Sequence, residues 1–88
     1  MKIFTRNYEA VVNRNLIKLD TTSEQFYMKA QEELYEILHA ITLNDKENEV
    51  EEWADLLIVC ANALIHKNID LEQILTKIAE KNEARAVK

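Results

Sequence analysis

Hydrophobic residues recur along this chain at intervals of three and four positions, which is the spacing of one face of an α-helix. The pattern predicts four helices, at about residues 3–16, 24–42, 46–67 and 71–86. The segments between them are short and rich in Asn, Asp, Ser and Thr, which favour turns. The sequence therefore predicts an all-α protein, an antiparallel bundle of about four helices with short connections.

Residues that favour helix ends stand at the predicted boundaries. Thr22 or Ser23 is placed to cap the second helix, and Asp70 is placed to cap the fourth. The chain contains no glycine and no proline. Asn68 is therefore expected to take the left-handed conformation that glycine usually adopts after a helix.

The third predicted helix contains the most apolar stretch of the chain, WADLLIVCANALI at residues 53–65. A helix of this composition is expected to be buried on nearly all sides, with Cys60 as a small core residue. Only Asp55 and Asn62 interrupt the apolar run, and their spacing of seven places them on one face. An aspartate in such a run is unfavourable unless it is paired, so Asp55 is a candidate functional residue.

Length and composition narrow the class of protein. With 88 residues the chain forms a single domain, residues 1–88, whose small core predicts completion of the bundle by self-association. A formal net charge of −5 without a basic patch argues against a nucleic-acid polymer as partner. The longest uninterrupted apolar run, residues 56–61, is too short to span a bilayer, and the N-terminal residues do not resemble a signal peptide. A cytoplasmic location without membrane association is expected.

Two predicted helices each carry a pair of acidic residues three positions apart. The pairs are Glu33 with Glu36, and Glu52 with Asp55. This spacing directs both carboxylates of a pair to the same side of the helix. If the two helices pack antiparallel, four carboxylates converge, and they need compensation to remain ionised. Mg²⁺ or Mn²⁺ provides it, because both prefer oxygen ligands.

Simpler interpretations of the charged residues stay open at this point. Glutamates on a helix usually do no more than solvate its surface, and Glu32, Glu49 and Glu51 fit that interpretation. In the last helix, Lys77, Lys81 and Arg85 recur at four-residue steps. Such a cluster either suits the negative end of the helix dipole or binds phosphate.

Taken together, these motifs resemble the MazG-like all-α nucleoside triphosphate pyrophosphohydrolase superfamily. The superfamily signature, EExxE followed by ExxD, is matched by residues 32–36 and 52–55, with fifteen residues between them. An asparagine often stands seven residues after the aspartate, and a basic pattern often ends the last helix. The matching residues here are Asn62 and then Lys81, Asn82 and Arg85. The resemblance covers about residues 24–86.

The resemblance implies a Mg²⁺-dependent enzyme, with Mn²⁺ able to substitute, that cleaves a nucleoside triphosphate to the monophosphate and pyrophosphate. It implies a homodimer or homotetramer with sites built between chains. Glu33 or Glu36 would accept the proton of the attacking water, and Asn62 would orient the substrate. The implied metal ligands are Glu33, Glu36, Glu52 and Asp55, and the implied phosphate-binding residues are Lys81, Asn82 and Arg85. Trp53 departs from the smaller residues common there, and the first helix matches no superfamily motif.

Two other classes of protein explain part of this pattern. A non-catalytic helical module that oligomerises explains the amphipathic helices but gives no reason for Asp55 and Asn62. A di-iron carboxylate bundle is suggested by Glu36 and His39, which form a Glu-x-x-His motif. Such bundles need the motif twice, and His66 has Ala63 three residues before it instead of a glutamate.

Overall fold

A computed structural model describes residues 2–87 as four α-helices. They are α1 (Lys2–Asn13), α2 (Ser23–Thr42), α3 (Lys46–His66) and α4 (Leu71–Ala86). No strand occurs within residues 2–87, so the predicted all-α helical bundle is confirmed. The first helix ends at Asn13, three residues earlier than predicted.

Side chains at the helix starts pair with backbone groups that the helix leaves free. Thr22 begins α2 with a capping box, in which its Oγ1 accepts from the Gln25 backbone N at 3.2 Å and Gln25 Oε1 accepts from the Thr22 N at 2.8 Å. Asp70 caps α4 by accepting from the Gln73 N at 3.0 Å. Both predicted caps are confirmed. Asp45 caps α3 in the same way, a role the sequence analysis did not assign.

Three asparagines make the turns of this glycine-free chain. Asn15, Asn44 and Asn68 have φ angles of 60°, 56° and 60°. Asparagine tolerates this left-handed region better than most residues, because its short polar side chain can bond locally. The prediction for Asn68 is confirmed, and Asn44 turns the chain between α2 and α3 in the same conformation.

The core lies mainly between α2 and α3, which form a hairpin closed by residues 43–45. The first helix packs against α3, and the segment that follows α1 contributes Ile17 to the core. The only side chain of α4 that is buried is Leu71, at its first position. Most of α4 therefore extends from the hairpin without being packed against it. The buried apolar side chains are Ile17, Phe26, Ile37, Ala40, Val59, Ala61 and Leu71.

The expectation that the apolar run of α3 is buried on nearly all sides is wrong for a single chain. Cys60 is exposed and is not a core residue, and Trp53 and Leu57 are 49% and 57% exposed. The reason is that α2 covers one face of α3, while α4 leaves the opposite face open. On α2, Leu34 and Leu38 are likewise 51% and 59% exposed. Within residues 2–87, no helix is both long and apolar enough to cross a membrane.

Candidate metal centre

Three carboxylates from two helices meet on the α2–α3 hairpin. Glu33 and Glu36 come from α2 and Glu52 comes from α3, and each offers an oxygen atom within 4.8 Å of the other two. The short connection makes the two helices antiparallel, so the middle of α2 faces the first half of α3. The convergence predicted from the acidic spacing is therefore present for these three residues.

The three carboxylates differ in their exposure. Glu33 is buried at 6% exposure, Glu52 is half-buried and Glu36 is exposed. Glu33 lies in the interface between α2 and α3. Carboxylates are seldom buried unless they are paired, so the position of Glu33 requires an electrostatic partner.

The pKa values of Glu52 and Glu33 both lie above that of an ordinary glutamate. A hydrogen bond with Glu36 is the main cause that raises the pKa of Glu52 to about 7, and partial desolvation and the charge of Glu36 add to it. Burial raises the pKa of Glu33, with further contributions from the charges of Glu36 and Asp55. Two carboxylates can share a hydrogen bond only if one is protonated, so the cluster holds a proton near neutral pH when no cation is bound.

The unpaired atoms of the cluster fit a divalent cation. Glu33 Oε2 and Glu52 Oε2 are buried and have no hydrogen-bond partner within the described part of the chain. Lys29 compensates part of the charge, because its Nζ lies 3.5 Å from Glu33 Oε1 and 3.6 Å from Glu32 Oε2. The donor set of the cluster is entirely oxygen, as hard cations such as Mg²⁺ prefer. His39 is not part of this group.

Asp55 lies beside the cluster and is not within the group of three. Its side chain is exposed, so it is not buried in the apolar run as the sequence suggested. Its charge nevertheless raises the pKa of both Glu33 and Glu52. Asp55 also lines the adjoining cleft with Glu33 and Glu36. It is therefore placed to join a metal or substrate site on the open side of the cluster.

An open cleft of about 1160 Å³ adjoins the carboxylates. The α2–α3 hairpin forms one wall, and α1 with the segment after it forms the other. Asn62 lines this cleft and its side chain is only 6% exposed, and its substrate-binding role stays a prediction. The cleft thus joins two of the features that the sequence singled out, the acidic cluster and the buried asparagine.

The cleft also contains residues that the sequence analysis missed. Asn7 and Val11 of α1 line it, followed by Arg14 just beyond the helix. Their spacing of four and then three residues is that of one helical face. This periodicity was visible in the sequence, but it does not show which side of α1 faces the hairpin. On the opposite wall the cleft has a second cation, Lys29.

Contacts of His66 hold α1 against the end of α3. The Tyr8 hydroxyl lies 2.9 Å from His66 Nδ1, and the Phe26 ring lies 5.3 Å from the His66 ring between centroids. These contacts join α1, α2 and α3 at one point. At the end of the cleft away from the carboxylates, these contacts therefore hold α1 in a defined position against the hairpin.

The predicted phosphate-binding residues are placed elsewhere. Lys81, Asn82 and Arg85 are exposed on α4 and do not line the cleft. Because α4 packs against the rest of the chain only near Leu71, these side chains do not contact the carboxylates of the same chain. Their phosphate-binding role stays a prediction.

A helical hairpin with three clustered carboxylates defines this protein as an all-α protein with a candidate metal centre. The sequence model of the phosphoribosyl-ATP pyrophosphohydrolase family matches residues 8–82. The chain belongs to this family, which lies within the MazG-like superfamily. The match includes the acidic cluster and most of the cleft.

Curated relatives carry the name phosphoribosyl-ATP pyrophosphatase. Those of Bacillus cereus (strain Q1) and Bacillus thuringiensis (strain Al Hakam) are each 39% identical over 59 residues, which is 67% of this chain and 55% of theirs. The protein of Bacillus cereus (strain B4264) is 36% identical over the same shares. The chain thus spans about half the length of the curated relatives it matches. No solved structure matches it.

Proposed function

We propose that this chain is a Mg²⁺-dependent pyrophosphohydrolase that acts on phosphoribosyl-ATP or a related nucleoside triphosphate. Water would attack the phosphorus atom on one side of the oxygen that bridges the α- and β-phosphates, and the bond from that phosphorus to the bridging oxygen would break. The products would be the nucleoside monophosphate and pyrophosphate. The observation that supports this most directly is the cluster of Glu33, Glu36 and Glu52 beside a cleft. Family membership and the names of the relatives support the substrate class.

The proposed metal ligands are Glu33, Glu36 and Glu52, with Asp55 completing the set on the cleft side. When bound, Mg²⁺ or Mn²⁺ supplies positive charge that neutralises phosphate oxygens and lowers the pKa of a water molecule. Ligands must be deprotonated to bind a cation. Because the pKa of Glu52 is about 7, occupancy of the site is expected to increase as the pH rises through neutrality.

Side chains that line the cleft are assigned to proton transfer and to phosphate binding. Glu33 or Glu36 accepts the proton of the attacking water, since both lie at the cluster and line the cleft. Lys29 and Arg14 are the two cationic side chains that line the cleft among the described residues. Both can bind phosphate oxygens, and they offset the repulsion between an anionic substrate and the acidic wall.

Assembly of at least two copies is part of the proposal. Trp53, Leu57 and Cys60 are exposed on α3, which a second copy would cover. Lys81, Asn82 and Arg85 extend from the hairpin on α4, so a neighbouring chain's cleft is a place where they can meet phosphate. The proposed assembly is a homodimer or a homotetramer.

A nucleotide screen tests the function. The full chain is incubated with Mg²⁺ or Mn²⁺ and with phosphoribosyl-ATP, ATP and the other nucleoside triphosphates, and pyrophosphate release is measured. Glu52→Gln is expected to abolish the release, whereas Glu51→Gln, an exposed neighbour outside the cluster, is expected to retain it. Failure of every nucleotide to release pyrophosphate would favour the non-catalytic interaction module.

A further inference from the structure

Two asparagines in the cleft bury an unpaired carbonyl oxygen. The Oδ1 atoms of Asn7 and Asn62 are inaccessible to solvent and have no hydrogen-bond partner among residues 2–87. Both residues line the cleft, Asn7 from α1 and Asn62 from α3. A buried acceptor without a partner destabilises a fold, because it has lost its hydrogen bond to water. Two such atoms in one cleft are acceptors that a bound molecule can satisfy.

The positions of the two asparagines show which part of a nucleotide they meet. Asn62 lies seven residues after Asp55 on α3, which is about 10 Å along the helix axis. Asn7 precedes Tyr8, whose hydroxyl contacts His66, one turn further along α3. Asn7 and Asn62 are therefore at the His66 end of the cleft. The carboxylates that face the phosphates are at the other end.

We propose that Asn7, together with Asn62, binds the nucleoside portion of the substrate and contributes to its selection. This inference rests on the proposed function, since it assumes that the phosphates lie at the acidic cluster. The carbonyl oxygens accept hydrogen bonds from an N–H or O–H group of the nucleoside, either an amino group of the base or a hydroxyl of the sugar. Val11 and Phe26, which also line the cleft, supply apolar surface beside the two amides.

Adenosine 5′-monophosphate is the probe, because it has the nucleoside portion but lacks the pyrophosphate that faces the metal site. Its affinity for the full chain is measured by calorimetric titration in the absence of divalent cations. Asn7→Ala is expected to weaken binding roughly fivefold to tenfold, the loss typical of one hydrogen bond. The matched control is Asn13→Ala, which makes the same change at an exposed position of α1 outside the cleft, and its affinity is expected to stay within about twofold of wild type.

Thermal stability separates a binding role from a structural one. If Asn7 has no partner in the free protein, Asn7→Ala is expected to melt at the same temperature as Asn13→Ala or higher. A melting temperature clearly below that of Asn13→Ala would assign Asn7 to the fold and overturn the proposal. Equal affinity of wild type and Asn7→Ala for the monophosphate would also overturn it, and so would a wild-type chain that does not bind the monophosphate.

Two analogues identify the group that is bound. Loss of affinity with inosine 5′-monophosphate, which lacks the amino group, assigns the contact to the base. Loss with 2′-deoxyadenosine 5′-monophosphate assigns it to the sugar. In both cases the analogue is expected to bind wild type and Asn7→Ala equally. An Asn7-dependent monophosphate affinity without pyrophosphate release would refute the proposed reaction alone. Pyrophosphate release with an unchanged KM in Asn7→Ala would refute this inference alone.

Discussion

Glu52 is the residue whose protonation couples the stability of the protein to its proposed metal site. Glu36 approaches it across the α2–α3 interface and raises its pKa from 4.5 to about 7. The unfolded chain loses this proton at lower pH than the folded chain. Below pH 4.5 both states are protonated, and the stabilising contribution of the protonated group is fully present. It is lost as the pH rises through about 7.

The first prediction concerns how the stability of the metal-free protein changes with pH. In EDTA, the melting temperature of the wild-type chain is expected to fall between about pH 5 and about pH 8, and Glu52→Gln should remove much of that fall. Adding Mg²⁺ at the higher pH should raise the melting temperature of wild type, because the cation binds the native state. This rise should be largely absent in Glu52→Gln and retained in the control Glu51→Gln. An equal response to Mg²⁺ in all three proteins would contradict the proposed ligand set.

The second prediction concerns Asp55, which is exposed beside the cluster. Asp55→Asn removes a negative charge that raises the pKa of Glu33 and Glu52, so the metal-free protein should be as stable as wild type or slightly more stable. If Asp55 helps to hold the metal, pyrophosphate release should fall by orders of magnitude. Asp20→Asn, an exposed position outside the cleft, controls for the change in charge. A less stable Asp55→Asn variant with near wild-type activity would indicate a structural role for Asp55.

Helices and their ends were predictable because their causes are local. Thr22, Asn68 and Asp70 act on backbone groups within a few residues, and all three have the predicted roles. The meeting of Glu33 and Glu36 with Glu52 was predictable because a short connection forces neighbouring helices to pack antiparallel. The contribution of α1 to the cleft was not predictable, because the orientation of Asn7 depends on the contact between Tyr8 and His66. These two residues are 58 positions apart. The exposure of Cys60 was missed because periodicity does not show which apolar face another helix covers.

The third prediction concerns the connection between α2 and α3. Asn44 has a φ angle of 56°, in a region where a residue with a Cβ atom and no local hydrogen bond is strained. Asn44→Ala should lower the free energy of unfolding by about 1 kcal/mol, whereas Asn44→Gly should cost little, because glycine adopts this conformation freely. Urea denaturation measures both. Asn13→Ala, within the last turn of α1, controls for the loss of the amide. Equal stability of the alanine and glycine variants at residue 44 would show that the connection is not strained.

The single chain leaves much of its apolar surface in water. Within residues 2–87, none of the large side chains is fully buried. Exposed apolar side chains lie on both helices of the hairpin, with Leu34 and Leu38 on α2 and Trp53 and Leu57 on α3. Large contiguous apolar patches on soluble proteins usually mark interaction sites. We expect a second copy of the chain to cover the exposed apolar surface of α3.

The last prediction tests that assignment with two matched leucines. Leu57 is 57% exposed on α3, and Leu19 is 99% exposed in the segment before α2. If a second copy covers Leu57, Leu57→Lys places an unpaired charge in the interface and should both reduce the assembly and lower the melting temperature. Leu19→Lys makes the same chemical change in solvent, where a substitution usually alters stability by no more than about 0.5 kcal/mol. Light scattering at micromolar concentration should give at least twice the 10.3 kDa chain mass for wild type and Leu19→Lys, and a mass closer to one chain for Leu57→Lys. A wild-type mass of 10.3 kDa, or identical behaviour of the two lysine variants, would show that the apolar face of α3 is not an interface between copies.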